Sequence, residues 1–210
     1  MVKKQQPGSG KLEGLRAAAK GCRNCPLWEN ATQTVFGEGN ARARIMLVGE
    51  QPGDQEDREG HPFVGPAGRI LDEGLREAGI DRRKLFVTNA VKHFQWEPRG
   101  KRRLHKTPAQ REIDACYQWL EGEIAAVKPH LIVALGATAA KALLGPRFRI
   151  TQQRGQVQVR GEGLPAVLAT YHPSFLLRVK ARPEGEEIHR QFVDDLRTAA
   201  QYLVPDKSDR

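Results

Sequence analysis

The sequence predicts an α/β fold: a central, mainly parallel sheet covered by helices on both faces. Three observations carry that prediction. Four short runs, 44–49, 85–91, 131–135 and 166–170, are apolar without alternation, the pattern of strands buried on both sides. The segments between them carry apolar residues at helical spacing. Strands and helices alternate along the chain, as the crossovers of a doubly wound parallel sheet require. In such sheets ligands bind beyond the carboxyl ends of the strands.

Taken in order, residues 1–10 are polar with Gly and Pro, and a disordered tail is expected there. Leu12 to Lys20 reads as a short helix ended by Gly21. The first strand, Arg44 to Gly49, feeds the stretch GEQPGDQEDREGHPFVGPAGR, residues 49–69, which is rich in Gly and Pro and long for a connection in a compact domain. Pro66 opens an amphipathic helix marked by Ile70, Leu71, Leu75 and Ala78 and closed by Gly79. Leu85 to Val91 is the second strand, followed by a long loop, Lys92 to Lys106. Thr107-Pro108-Ala109-Gln110 has a capping-box pattern and opens a helix to about Val127. Leu131 to Leu135 is the third buried strand, and Gly136 to Leu144 a small-residue helix stopped by Gly145-Pro146. Gln156 to Arg160 alternates as an edge strand would. Ala166 to Thr170 is the last buried strand and ends in Tyr171-His172-Pro173-Ser174. Glu186 to Leu203 is an amphipathic helix with Phe192, Val193 and Leu196 inward, and 205–210 is a frayed tail. No repeat or linker divides the chain, so one domain over 11–204, acting as a monomer, is expected.

The 210 residues suffice for one full core. A net charge of +9 points to a polyanionic partner, with nucleic acid ahead of membrane. The N-terminus lacks the apolar centre of a signal peptide, and the longest apolar run, Leu131 to Ala140, is too short to span a bilayer. A soluble cytoplasmic protein is expected. Three cysteines cannot all pair internally, which argues against a disulfide framework.

Four chemically rich segments fall at the strands' carboxyl edge: 49–53, 89–106, 136–138 and 172–174. Cys22 and Cys25, with two residues between them, and Cys116 on a helix offer three thiolates, and His93 is the best candidate for a fourth ligand. Such a set suits either zinc or an iron–sulfur centre. The plainer alternative is three buried apolar cysteines and a surface histidine. Lys101-Arg102-Arg103-Leu104-His105-Lys106 is either a solvated basic loop or a phosphate-binding loop that holds His105 over a nucleic acid. The sequence has neither a nucleophile-elbow serine nor a Walker glycine loop, which disfavours serine hydrolase and ATPase chemistry.

GEQPG at 49–53, HPFVGPAGR at 61–69, VTNAVK at 87–92, LGATAAKALLG at 135–145 and HPS at 172–174, in this order, resemble the family-four class of the uracil-DNA glycosylase superfamily. The resemblance spans Cys22 to about Leu203. Family-four members usually carry Ala at the position of Gln51 and a fourth Cys at that of His93. Both departures, with the inserted KRRLHK loop, resemble the UdgX subgroup, where Ile is usual in place of Leu104.

That resemblance implies a three-layer sandwich around a four-stranded, mainly parallel sheet. It also implies a four-iron, four-sulfur cluster on Cys22, Cys25, His93 and Cys116, with structural zinc as the alternative. The implied substrate is uracil-containing DNA, single-stranded or flipped from duplex. Phe63, Asn89, Gly49 and His172 are expected around the uracil. Glu50 is expected to stabilise the cationic sugar, with Gln51 and Asp54 orienting the reacting groups. Lys101, Arg102, Arg103, Lys106 and Ser174 are expected on DNA, and His105 is expected to attack C1′ and stay attached. The rivals are a conventional family-four glycosylase that releases abasic DNA, a metal-stapled nucleic-acid-binding module without catalysis, and a small-molecule enzyme using the same cleft.

Overall fold

The computed structural model describes residues 9–204. The tails expected at the termini fall outside that range, except that Ser9 and Gly10 already belong to the first helix, α1 (Ser9–Ala19). After it come β1 (Glu38–Gly39), β2 (Ile45–Gly49), α2 (Asp54–Glu59), α3 (Pro66–Glu77) and β3 (Phe86–Asn89). A hairpin of β4 (Trp96–Arg99) and β5 (Arg102–His105) precedes α4 (Gln110–Val127), β6 (Leu131–Leu135) and α5 (Ala137–Leu144). The chain ends with α6 (Ile150–Gln153), β7 (Val157–Gln158), β8 (Ala166–Thr170), α7 (Pro173–Val179) and α8 (Gly185–Ala200).

The sheet has six strands in the order β1-β3-β2-β6-β8-β7. The four buried runs are its parallel centre, β3-β2-β6-β8. The sheet is larger than the expected four strands because β1 and β7, two residues each, pair antiparallel at its edges. Successive side chains of a strand face opposite sides, and the apolar runs use both. Met46 and Val48, with Ile132 and Ala134, pack against residues of α1, α4 and α5 such as Leu12, Leu120 and Leu143. Ile45 and Leu47, with Leu131 and Val133, pack against residues of α3, α7 and α8 such as Leu75, Leu176 and Phe192. The result is a three-layer sandwich. Among the described residues no helix is long and apolar enough to cross a membrane.

Two of the differences from expectation have local reasons. The fourth helix begins after Ala109, not at Thr107, and the Glu112 carboxylate accepts the Ala109 N–H at 2.6 Å. The loop expected at 92–106 contains the β4–β5 hairpin, with Trp96 opposite His105 and Arg99 opposite Arg102. Chain order reverses between β2 and β6. The chain moves from β2 outward to β3, then returns to the other side of β2, which leaves a crevice at the carboxyl ends of β2 and β6.

Leu120 is fully buried between α4 and the sheet. Leu120→Ala should lower unfolding free energy by about 2–5 kcal/mol, read as a lower denaturant midpoint at unchanged slope.

Candidate active site

A cleft of about 670 Å³ opens at that crevice, lined among others by Glu50, Phe63, Asn89, His105, Thr138 and His172. All six come from segments leaving the sheet's carboxyl edge. Glu50 follows β2, Asn89 ends β3, Thr138 starts α5 after β6, and His172 follows β8.

The floor is built around a missing side chain. A Cβ on Gly49 would lie 2.3 Å from Asn89 Oδ1 and 2.6 Å from Phe63 Cζ. Only glycine lets the amide and the ring share that space. Phe63 is buried and has a positive φ of 56°, a conformation that costs a non-glycine residue energy and holds the ring inward. Its ring centroid is 6.0 Å from that of His172. Asn89 is buried, and its Oδ1 has no hydrogen-bond partner. An unpaired buried acceptor facing a cleft is a group waiting for a ligand's donor.

His172 Nδ1 accepts the Ser174 N–H at 3.1 Å and faces Ser174 Oγ at 2.8 Å. With Nδ1 accepting, the proton sits on Nε2. Burial pushes the imidazole down to about 4, against the pull of the Glu50 carboxylate, so the ring is neutral at pH 7.

Glu50 is the hub. One of its oxygens lies 3.2 Å from His105 Nε2, and the other accepts a short hydrogen bond from Thr138 Oγ1. Burial would raise the carboxyl, but the bonds from His105 and Thr138 outweigh it and hold the group below the usual glutamate range.

The hairpin carrying His105 is tied down at two points. Gln51 is buried. Its amide donates to the Gln95 and Lys106 carbonyls at 3.1 and 3.0 Å and accepts the Gln95 N–H at 2.9 Å. The side chain therefore bridges both ends of the hairpin, a task that alanine could not perform. Arg103, expected on DNA, is turned inward instead. Its guanidinium binds Asp54 and, at 2.7 Å, the fully buried Asp57, and lies over the rings of Phe94 and Trp96. Two carboxylates outbid a distant phosphate for one planar donor set. Burial disfavours the charged guanidinium, but Asp57 and Asp54 more than offset this and raise it.

Asp54 thus acts on the hairpin and does not touch Glu50's partners. Lys101, Arg102 and Lys106 are exposed, as a phosphate-facing run would be. Ser174 lines the cleft but is engaged with His172 and Arg178. Asp57 and Glu56 escaped notice in the sequence. Glu56 accepts the N–H groups of Gly53 and Gly65 and so pins the Gly/Pro loop.

Residues 36–197 match the family model described as the uracil DNA glycosylase superfamily. The chain belongs to that superfamily. Among curated members, it is 39% identical to a type-4 uracil-DNA glycosylase of Thermotoga maritima over 193 residues, 91% of this chain and 94% of the relative. It is also 39% identical to a type-4 uracil-DNA glycosylase of Pyrobaculum aerophilum over 176 residues, 81% of this chain and 86% of the relative.

In this superfamily member the three cysteines are free thiols close enough for Cys22 and Cys25 to act electrostatically on Cys116. Two of the sulfurs accept N–H groups, Cys116 from Lys92 N and Cys22 from Trp119 Nε1, both at 3.2 Å. Burial pushes the Cys116 thiol up to about 11, so a cation is needed to make it a thiolate. Three thiols with N–H groups aimed at sulfur fit an iron–sulfur donor set. His93 is buried nearby in sequence, with its Nε2 3.0 Å from Thr34 Oγ1. Among the described residues no three His, Cys, Asp or Glu side chains close on one metal ion.

Thr138 donates to the charged form of Glu50, so Thr138→Val should move the acid limb of the pH–rate profile to higher pH. The neutral-pH rate should fall about tenfold. A stopped single-turnover assay across pH checks both.

Proposed function

We propose that this chain is a uracil-DNA glycosylase of the UdgX type, which excises uracil and is then joined through His105 to C1′ of the abasic sugar. The observation that carries the reading is His105 Nε2 at 3.2 Å from Glu50, in a cleft that also holds the free acceptor of Asn89.

A base inside a duplex is out of reach, so the uridine enters flipped or single-stranded. Phe63 stacks on the ring. Asn89 Oδ1 accepts from uracil N3–H, and its amide NH2 donates to O4. Cytosine offers a donor and a bare N3 at those places, and mispairing a buried amide costs about 1–3 kcal/mol. Neutral His172 donates from Nε2 to O2 as the C1′–N1 bond breaks and the bonding pair leaves with the base. The sugar becomes oxocarbenium-like, and ionised Glu50 stabilises it.

His105 stands where a hydrolytic water would otherwise approach. The lone pair of one ring nitrogen forms the bond to C1′, and the proton on the other nitrogen passes to Glu50. Holding the nucleophile in place makes capture effectively intramolecular. The product is a neutral N-substituted imidazole, a poor leaving group, so the link persists. Gln51, Asp54, Asp57 and Arg103 act by holding the hairpin. Exposed Lys101, Arg102 and Lys106 bind phosphates.

Cys22, Cys25, His93 and Cys116 would hold a four-iron, four-sulfur cluster, which acts as a structural staple between the N-terminal segment and α4. Purified protein should be brown, with about four irons per chain. Stoichiometric zinc without visible absorption would overturn the iron assignment.

Incubation with uracil-containing single-stranded DNA should give a protein–DNA adduct that survives heating in detergent. His105→Ala should form none and should still cut the glycosidic bond with water, leaving alkali-labile abasic DNA. The identity to type-4 relatives also suits a conventional enzyme. Free abasic DNA from wild-type protein over many turnovers would establish that reading instead.

A further inference from the structure

One buried ion pair takes no part in the chemistry above. Lys92 and Glu123 are 1% and 0% exposed, with Lys92 Nζ 2.8 Å from Glu123 Oε2. The ammonium also donates to Thr88 Oγ1 and to the backbone carbonyl of Asn89, both at 2.7 Å. Its three protons are therefore all used. Thr88 Oγ1 donates to Glu123 Oε2, and Gly37 N–H donates to Glu123 Oε1, each at 2.8 Å.

The reason for this cluster lies in the sheet. In β3, alternate residues point their backbone groups to opposite neighbours. Ala90 N–H goes to Gly49 on β2, so Asn89 points its carbonyl toward the β1 side, as Val87 does. Strand β1, however, reaches only Phe86 and Val87. Beyond that level the β1 ladder offers the Asn89 carbonyl no partner, and a buried backbone group left unpaired is costly. Lys92 takes that carbonyl and is itself held by Glu123, which also accepts the Gly37 N–H. The ion pair stands in for the missing rung of the ladder.

That rung ends at the residue whose side chain meets the base. We propose that the Lys92–Glu123 pair is a positioning device for base recognition: it fixes the Asn89 peptide, and so aims the Asn89 amide at uracil. The inference rests on the uracil-reading role of Asn89 given above. Gly49 and Phe63 crowd the amide from one side, and Lys92 anchors its backbone from the other. A recognition group must be held within about 0.5 Å and 10–20° to discriminate. Lys92 is a positioning residue; it touches neither the base nor the sugar.

The test uses full-length protein and two fluorescent single-stranded oligonucleotides, identical except for one 2′-fluoro-2′-deoxyuridine or one 2′-fluoro-2′-deoxycytidine. The fluorine disfavours the cationic sugar, so the bond survives and binding is measured alone. Lys92→Met/Glu123→Gln leaves no unpaired charge and keeps an acceptor for Gly37. In this variant the uridine-over-cytidine affinity ratio should fall by about tenfold, with cytidine affinity unchanged. A purely structural pair would lower Tm and leave that ratio alone. A folded variant with the wild-type ratio overturns the proposal. Should the double variant not fold, Thr88→Val decides. It removes only the hydroxyl that accepts from Lys92 and donates to Glu123, and the ratio should again fall; an unchanged ratio overturns the proposal. Wild-type protein with no uridine preference would instead overturn the glycosylase reading, and this inference with it.

Discussion

The site depends on the burial of one arginine. Arg103 sits in a short strand whose side chains alternate, so Arg103 and His105 share a face while Arg102 and Leu104 share the other. The Phe94 ring lies under both Arg103 and His105, at 5.4 and 6.3 Å. Drawing Arg103 down onto Asp54 and Asp57 therefore brings His105 down onto Glu50. The pairing has to be good, because Asp57 is fully buried and a lone charge there would be costly. It is: two carboxylates, the Thr32 hydroxyl and two aromatic faces leave the guanidinium little freedom.

The same pairing explains how an acidic loop can border a cleft meant for a polyanion. Asp54, Glu56 and Asp57 would repel phosphate if left open to it. Arg103 neutralises the first and third, and Glu56 is taken up by the backbone N–H groups of Gly53 and Gly65. Their charge is absorbed locally, while Lys101, Arg102 and Lys106 of the basic run stay exposed. Glu50 faces the cleft as a carboxylate, with both oxygens held, by Thr138 across the crevice and by His105 above.

The sheet was legible because its four central runs are continuous and apolar, a pattern that few other structures share. The convergence of residues 49–53, 89, 136–138 and 172 followed from the same reading, since each segment ends or follows a strand. Less could be read where a residue's partner is remote in sequence. Arg103 meets Asp54 and Asp57, 49 and 46 positions away, and in the sequence it is one more cation in a basic run. The β4–β5 hairpin was missed because WEPRGKRRLH has little apolar alternation; interactions with Gln51 and the acidic loop hold it. Helix α2, DQEDRE, has no apolar stripe at all. Lys92 stands in the sequence only as the start of a long loop, and its burial becomes intelligible only once β1 is seen to stop short.

Two buried ion pairs thus flank the cleft, Arg103–Asp57 on the His105 side and Lys92–Glu123 on the Asn89 side. Neither is an efficient way to stabilise a fold, since desolvation consumes most of the attraction and apolar packing of equal volume often does as well. What an apolar contact does not supply is direction. A leucine in place of Lys92 could fill the space but could not bind the Asn89 carbonyl, and one in place of Arg103 could cover Phe94 but could not reach two carboxylates at once. Uracil recognition, and the capture at C1′ that we propose, both need groups aimed within a fraction of an ångström. At both places a buried charge pair adds direction to the backbone ladder: Arg103 holds down the hairpin that carries His105, and Lys92 binds the Asn89 carbonyl at the end of β3.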